Sequence, residues 1–270
     1  MIIDTHVHIG KVLKFNMTRE DVLYSIDKYG IDFSLVSNID GVECFPNGIK
    51  IPKFLLKSQN RIFRETIEFA KSNPDKIGAM PWLKPLTEKI DDEFIKLLDD
   101  NKKYVYGMKI HPFQSRVSPD DERLELAYDI AKNYKLPVVS HTGGCKEADS
   151  ERLYNAAKKH PDVDFVMVHM DLGTDNKKAL DLLGKLPNLY GDTTWVPVKT
   201  TLEAIKRYGS EKIVFGSDSP IDGKDTYLHN KYGQRSLYQE YFNEFRDMVS
   251  ESDYENIMYK NAARIFNIKL

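Results

Sequence analysis

The chain has 270 residues, with 39 basic and 41 acidic side chains, a formal charge of −2 and an isoelectric point near 6.4. That near balance offers no basic surface for a phosphate backbone or an anionic membrane, and no run approaches the ~18 consecutive apolar residues of a membrane helix. Two widely separated cysteines, Cys44 and Cys145, make no disulfide framework, and the N-terminus lacks a basic stretch followed by a long apolar core, so a cytoplasmic setting is expected.

In chain order, short apolar runs alternate with longer amphipathic ones. The first run, Ile2–His6, is followed by a helical pattern over Thr18–Tyr29, then by the strand Phe33–Ser37 and the helix Arg61–Lys71. The strand Ile77–Trp82 precedes the helix Thr87–Asp99, and Val105–His111 precedes Pro119–Asn133. Pro137–His141 leads to Asp149–Lys159, Asp164–His169 to Thr174–Leu183, and Leu189–Thr193 to Val198–Tyr208. The last strand is Ile213–Ser217, and Tyr254–Ile268 reads as a closing C-terminal helix. Thr18 with Asp21, Ser118 before Pro119, and Thr174 are the expected helix N-caps. The strands are near-continuous apolar runs, as parallel strands buried on both faces require. From His6 to Asp218 the repeat is about 30 residues, the size of one βα unit. Eight units predict one α/β domain over residues 1–270, a slightly distorted (β/α)8 TIM barrel; an open doubly wound sheet is the other arrangement. Two insertions, Asp40–Ser58 and Ser219–Arg235, follow strand ends at the face where barrel enzymes build their sites, and are expected to form a rim or lid.

The polar residues fall on this map unevenly. His6 and His8 lie two apart on an extended run, so both point to one face and can share a borderline ion such as zinc. His111, His141 and His169 each end a predicted strand, and Asp218 closes the last one in Gly216-Ser217-Asp218-Ser219-Pro220. Five of the seven histidines thus occupy one end of the predicted strands. His160, in Lys159-His160-Pro161, sits at a helix end where a cation meets the carbonyl dipole and reads as structural. His229 lies in the second insertion. Cys145 follows the His141 segment closely, but a thiol nucleophile needs an activating base and it reads as a bystander; Asp4 and Thr5 read as residues that order the first strand.

From Asp4-Thr5-His6-Val7-His8 to Asn261-Ala262-Ala263-Arg264-Ile265-Phe266, the chain resembles the amidohydrolase superfamily, most closely its amidohydrolase-related branch of metal-dependent hydrolases and decarboxylases. The resemblance implies a barrel whose metal is held by His6, His8, His141 and Asp218, with His169 contacting the water or substrate or joining a second metal. Some relatives bridge two metals with a carboxylated lysine or a glutamate on the strand that here carries Lys109. Alternation puts Lys109 and His111 on one face, and the count of metals stays open between one and two, one zinc being the expectation.

Zinc lowers the pKa of bound water from 15.7 to roughly 7, worth on the order of 12 kcal/mol, whereas a positioned general base adds about 3–5 kcal/mol. The expected activity is hydrolysis of a small-molecule amide, ester or lactone, with Asp218 as base and His169 assisting. Lys109, Arg116 and Arg235 could receive a substrate carboxylate, His111 could contact the substrate, and Trp82 or Trp195 could pack against its ring. Decarboxylation of an unsaturated or aromatic acid is the first alternative. A TatD-type deoxyribonuclease shares the Asp-Thr-His-x-His opening but favours an acidic residue where Lys109 stands. A non-catalytic barrel that merely retains metal is the third. Neither nucleic acid nor membrane is expected as partner, and a homo-oligomer is compatible with the sequence.

Overall fold

A computed structural model of the chain describes residues 1–13, 15–221 and 237–270. The strands are β1 (Ile3–Val12), β2 (Phe15–Met17), β3 (Phe33–Asn38), β4 (Ile77–Ala79), β5 (Met108–Ile110), β6 (Val138–Gly143), β7 (Phe165–Leu172), β8 (Leu189–Asp192) and β9 (Ile213–Val214). One sheet has the order β2-β1-β3-β4, in which only β2 is antiparallel; the other runs β5-β6-β7-β8-β9, all parallel. Helices connect successive parallel strands, as the crossover of a parallel pair demands. Both gaps between the sheets are bridged by backbone hydrogen bonds. At one, Tyr106 N donates to Ala79 O (3.0 Å), Lys109 N to Pro81 O (2.8 Å) and Leu83 N to Lys109 O (2.9 Å). At the other, Thr5 N donates to Phe215 O (3.0 Å), Asp218 N to His6 O (2.9 Å) and His8 N to Ser219 O (2.8 Å).

Side-chain alternation sorts the core into two layers. Ile3, Leu35, Met80, Val139, Val166, Val168, Tyr190 and Val214 form an inner cluster, whereas Val7, Ile9, Val36, Ile77, Met108, Val138 and Phe165 join the helices in a larger outer one. A third cluster lies at the strand ends, where Met17, Ile39, Val42, Ile51 and Ile62 surround Trp82. Ile3 faces inward and Val7 outward, so β1 must slip by one residue between them. It does: Asp4 pairs with Ser34 and Val7 with Val36, leaving Thr5 and His6 opposite the single residue Leu35. This bulge restores His6 and His8 to the inner face.

The elements differ from the sequence reading where side chains compete for the backbone. Thr18 caps the first helix in a reciprocal box with Asp21, as expected. The helix predicted from Thr87 begins at Asp92, because Asp91 accepts from Phe94 N and the preceding chain turns around the Lys84 carbonyl. The helix predicted from Pro119 begins at Glu125; Ser118 is not its cap, since Asp121 starts a tight turn by accepting from Arg123 N. Asn176, rather than Thr174, precedes the helix Lys177–Leu183, while Thr174 Oγ1 accepts from Asn176 N. The strand expected over Ile77–Trp82 is regular over Ile77–Ala79, is interrupted at Pro81, which has no N–H to give, and resumes as a single parallel bridge from Trp82 to Lys109. The hairpin of β1 with β2 and the short helix Pro112–Ser115 had no counterpart in the reading. The closing helix is present as one continuous run from Glu251 to Ile265, widened to π-type turns over Asn256–Lys260. The second rim segment lies outside the described residues beyond Ile221, and His229 and Arg235 with it. Among the described residues no helix is long and apolar enough to cross a membrane.

The first insertion is anchored through Glu43. Its buried carboxylate accepts from Thr87 N (2.7 Å), Thr87 Oγ1 (2.6 Å) and Leu86 N (3.3 Å). Burial nonetheless pushes its pKa up from 4.5 to about 7, against those hydrogen bonds. An acid whose folded pKa is raised favours the folded state most below its unfolded value, and that advantage is lost as pH rises from 4.5 through 7. A denaturant titration series should therefore show stability falling across this window by up to about 3 kcal/mol from this group, and Glu43→Gln should flatten that part of the profile.

Candidate metal centre

β1 delivers His6 and His8, and the turn after β9 delivers Asp218. One ligand atom from each of these three buried residues lies within 4.8 Å of the other two. His6 Nε2 is 2.9 Å from His8 Nε2, and Asp218 Oδ1 is 3.1 Å from His8 Nε2 and 3.6 Å from His6 Nε2. Two imidazoles and a carboxylate converging on one point, with no apolar atom needed between them, form a donor set suited to a divalent ion of borderline softness. The outward nitrogen of His8 meets Ser37 Oγ at 3.0 Å, and Trp195 Nε1 donates to Asp218 Oδ2 at 2.8 Å. Such outer partners fix which atom each ligand presents.

His141 is not in that group of three. It lies on β6 with its ring 4.7 Å from His169 and 4.1 Å from His111, and among the described residues its buried Nδ1 has no hydrogen-bond partner. His111 stacks in turn on Trp82, with centroids 4.9 Å apart and planes at 14°. Trp82, His111 and His141 thus make a ladder of parallel rings beside the His6–His8–Asp218 group, and His8 itself is 5.8 Å from Trp82.

His169 reaches this place by breaking strand alternation. Val168 already faces inward, so regular pairing would send His169 outward. Instead His169, Met170 and Asp171 all take positive φ, at 68°, 49° and 68°. Each such non-glycine residue costs on the order of 1–3 kcal/mol, and the turn is held from all sides. Asp192 Oδ1 accepts from His169 N (2.9 Å), Asn176 Nδ2 donates to Met170 O (2.7 Å), and Thr142 Oγ1 accepts from Asp171 N (2.9 Å). The His169 ring lies 5.3 Å from that of His6.

Lys109 is fully buried, and its Nζ sits 3.0 Å from His6 Nε2. Burial pulls its pKa down to about 8, opposed by the charges of Asp218 and Asp192. Burial also lowers the imidazoles: His6, His111 and His141 well below 6.5, His8 below it, and His169 to about 4. For Asp218 burial acts upward, but the hydrogen bond and charge of His8, the charge of His169 and the Trp195 indole outweigh it and hold the carboxyl below its usual range. At neutral pH the group is therefore neutral rings around an ionised carboxylate, the state in which such residues bind metal.

Arg116 is placed differently from the other predicted residues. It takes positive φ after the helix Pro112–Ser115, donates from Nη2 to Pro46 O (2.8 Å), and lies over the Phe113 ring at 4.7 Å. Phe113 separates it from His141, so it clamps the first insertion at the edge of the ring ladder. The reading overlooked Asp192, Thr194 and Ser37. Asp192 follows Tyr190 by two at the end of β8, on the same inner face, and an acid at the end of an apolar strand was the signal available.

A model of the family described as Amidohydrolase matches residues 3–268. No curated protein matches the chain by sequence. Among solved structures, a 2,6-dihydroxybenzoate decarboxylase from Rhizobium is similar with 14% identity and TM-score 0.66, covering 99% of this chain and 98% of that one. A 4-oxalomesaconate hydratase from Rhodopseudomonas palustris has 15% identity, TM-score 0.67 and coverage of 99% and 96%. An uncharacterised TIM-barrel protein from Bordetella bronchiseptica has 15% identity, TM-score 0.68 and coverage of 99% and 98%. Elemental analysis of purified protein should find metal that His6→Ala, His8→Ala and Asp218→Asn each reduce below stoichiometry, while Arg116→Ala retains it. With the imidazoles held neutral, acid release of that metal is expected below pH 6.5 rather than at it.

Proposed function

Because the chain belongs to the amidohydrolase family, we propose that it is a metal-dependent enzyme that hydrolyses a small amide, ester or lactone bearing a carboxylate. The observation that carries this reading is the convergence of His6, His8 and Asp218 at the carboxyl ends of the strands, buried beside Lys109. The parallel strands bridged at both gaps support a distorted (β/α)8 barrel as the scaffold, and the Bordetella structure lends it a precedent. One zinc ion is the proposed cofactor, held by His6, His8 and Asp218 with His141 as the fourth ligand; its chemistry would be to lower the pKa of water and polarise a carbonyl.

The side chains supply the rest. Asp218, fixed by the Trp195 indole and kept ionised, accepts the proton of the attacking water. His169, its Nδ1 tied to the Thr194 carbonyl at 3.2 Å, presents Nε2 as a hydrogen-bond acceptor to the attacking water. Lys109 offers an ammonium to a substrate carboxylate where bulk water is excluded, which strengthens that attraction. Trp82 and His111, stacked on each other, bound the site with their ring edges.

A second reading rests on the buried Lys109 amine, which suits the carboxylate of an unsaturated or aromatic acid as well, and two structural relatives carry the names of a decarboxylase and a hydratase. A panel of carboxylate-bearing lactones, esters and amides, assayed beside unsaturated and aromatic acids with carbon dioxide measured directly, separates the two. Hydrolysis without carbon dioxide release is expected. Asp218→Asn should lower kcat by about 100- to 10,000-fold, and Lys109→Met should chiefly raise KM. Turnover that survives Asp218→Asn, or is insensitive to chelation, would remove the proposal.

A further inference from the structure

The end of β8 touches both histidines that the proposed chemistry uses from opposite sides of the site. Asp192 is fully buried, and its Oδ1 accepts from two backbone amides, His169 N at 2.9 Å and Thr194 N at 3.2 Å. Its Oδ2 accepts the hydroxyl proton of Thr194 at 2.5 Å and lies 3.5 Å from His6 Nδ1. Thr194 Oγ1 is itself 3.2 Å from His6 Nδ1, and Thr194 O is 3.2 Å from His169 Nδ1.

A hydroxyl has one proton to give. With that proton committed to Asp192, Thr194 Oγ1 can only accept from His6, so His6 Nδ1 must carry the hydrogen. The other side of the ring is compatible with this. Lys109 Nζ lies 3.0 Å from His6 Nε2, and a bare Nε2 gives that amine an acceptor. For His169 the partner is a carbonyl, which never donates, so its Nδ1 carries the hydrogen as well.

We propose that Asp192 and Thr194 are positioning residues that set the tautomers of His6 and His169, leaving His6 Nε2 bare toward His8 and Asp218 and His169 Nε2 bare toward the attacking water. The proposal deepens the metal-dependent reading above and rests on it for its purpose, though not for the proton placement itself. Asp192 acts through the threonine hydroxyl, and Thr194 acts once through that hydroxyl and once through its carbonyl.

The substitution Asp192→Asn probes the proton relay. Its amide oxygen can keep the two backbone donors now on Oδ1, which turns the NH2 toward Thr194 Oγ1. That frees the threonine hydroxyl proton to point at His6 Nδ1 and drives the imidazole hydrogen to Nε2. Nitrogen NMR of metal-free, histidine-labelled protein should find His6 protonated at Nδ1 in the wild type and in Thr194→Ser, and at Nε2 in Asp192→Asn. His169 should stay protonated at Nδ1 in all three, an internal control that a general loss of structure would not leave intact. Zinc affinity, measured by competition with a chromophoric chelator, should fall about 10- to 100-fold in Asp192→Asn and be unchanged in Thr194→Ser. Protonation of His6 at Nε2 in the wild type overturns the proposal even if Asp192→Asn fails to fold, and so does an Asp192→Asn protein that folds with the wild-type tautomer. A wild-type protein that binds no zinc yet carries hydrogen on His6 Nδ1 removes the metal reading and leaves the positioning role standing.

Discussion

A single extra residue in β1 decides what this molecule can do. Ile3 belongs to the inner core and Val7 to the layer under the helices, and strict alternation cannot satisfy both from one end of the strand to the other. The slip between Asp4 and Val7 reconciles them and turns His6 and His8 inward together. Asp4 is the residue that secures it: its Oδ1 accepts from His6 N and from Ser217 N, both at 3.1 Å, and Oδ2 accepts from the Ser217 hydroxyl. One carboxylate therefore pins the bulge to the segment that carries Asp218. Burial raises that carboxylate to about 7 against these hydrogen bonds, so the anchor itself bears an electrostatic cost.

The inner layer above the aliphatic cluster is polar throughout. Five imidazoles, an amine and the carboxylates of Asp192 and Asp218 share a volume from which water is largely excluded, and each would be costly alone. The arrangement is tolerable because most rings are neutral and Lys109 lies near both Asp218 and Asp192. Asp192, raised to about 7 by burial and opposed by Thr194, the His169 amide and Lys109, belongs to the same balance. The charges were not arranged for stability, since apolar residues of similar volume would serve a core better. Their clustering in one buried place fits a chemical use.

Much of this was legible in the sequence because strand-end positions carry a signal that periodicity exposes. The alternation of apolar runs placed His6, His8, His141, His169 and Asp218 at one end of a parallel α/β fold, and Lys109 with His111 on one face. The bulge was invisible, since an inward histidine pair reads the same whether or not the strand slips before it. The three left-handed residues from His169 were equally hidden, as neither His, Met nor Asp announces such a turn in the way glycine does. Asp192 and Thr194 were overlooked for a different reason. Their roles come from contacts with residues 6 and 169, far away along the chain, and local pattern has no access to that. Arg116 looked like an anion receptor by position, whereas its guanidinium meets the Pro46 carbonyl and the Phe113 ring.

The backbone bonds that join β1 to the chain after β9 have a consequence for assembly. Thr5 Oγ1 donates to the carbonyl of Phe215, 210 positions away, and Asp218 N donates to the carbonyl of His6 itself. Closing so long a loop costs little more than closing a moderate one, because the entropy penalty grows only logarithmically with length. It does, however, come late, since contacts between distant positions form slowly and need the intervening units first. On the ribosome, the two N-terminal histidines emerge long before their carboxylate partner, and the pair waits through the synthesis of seven βα units for its third member. Ion capture by the complete group would therefore wait until the chain has been made through Asp218.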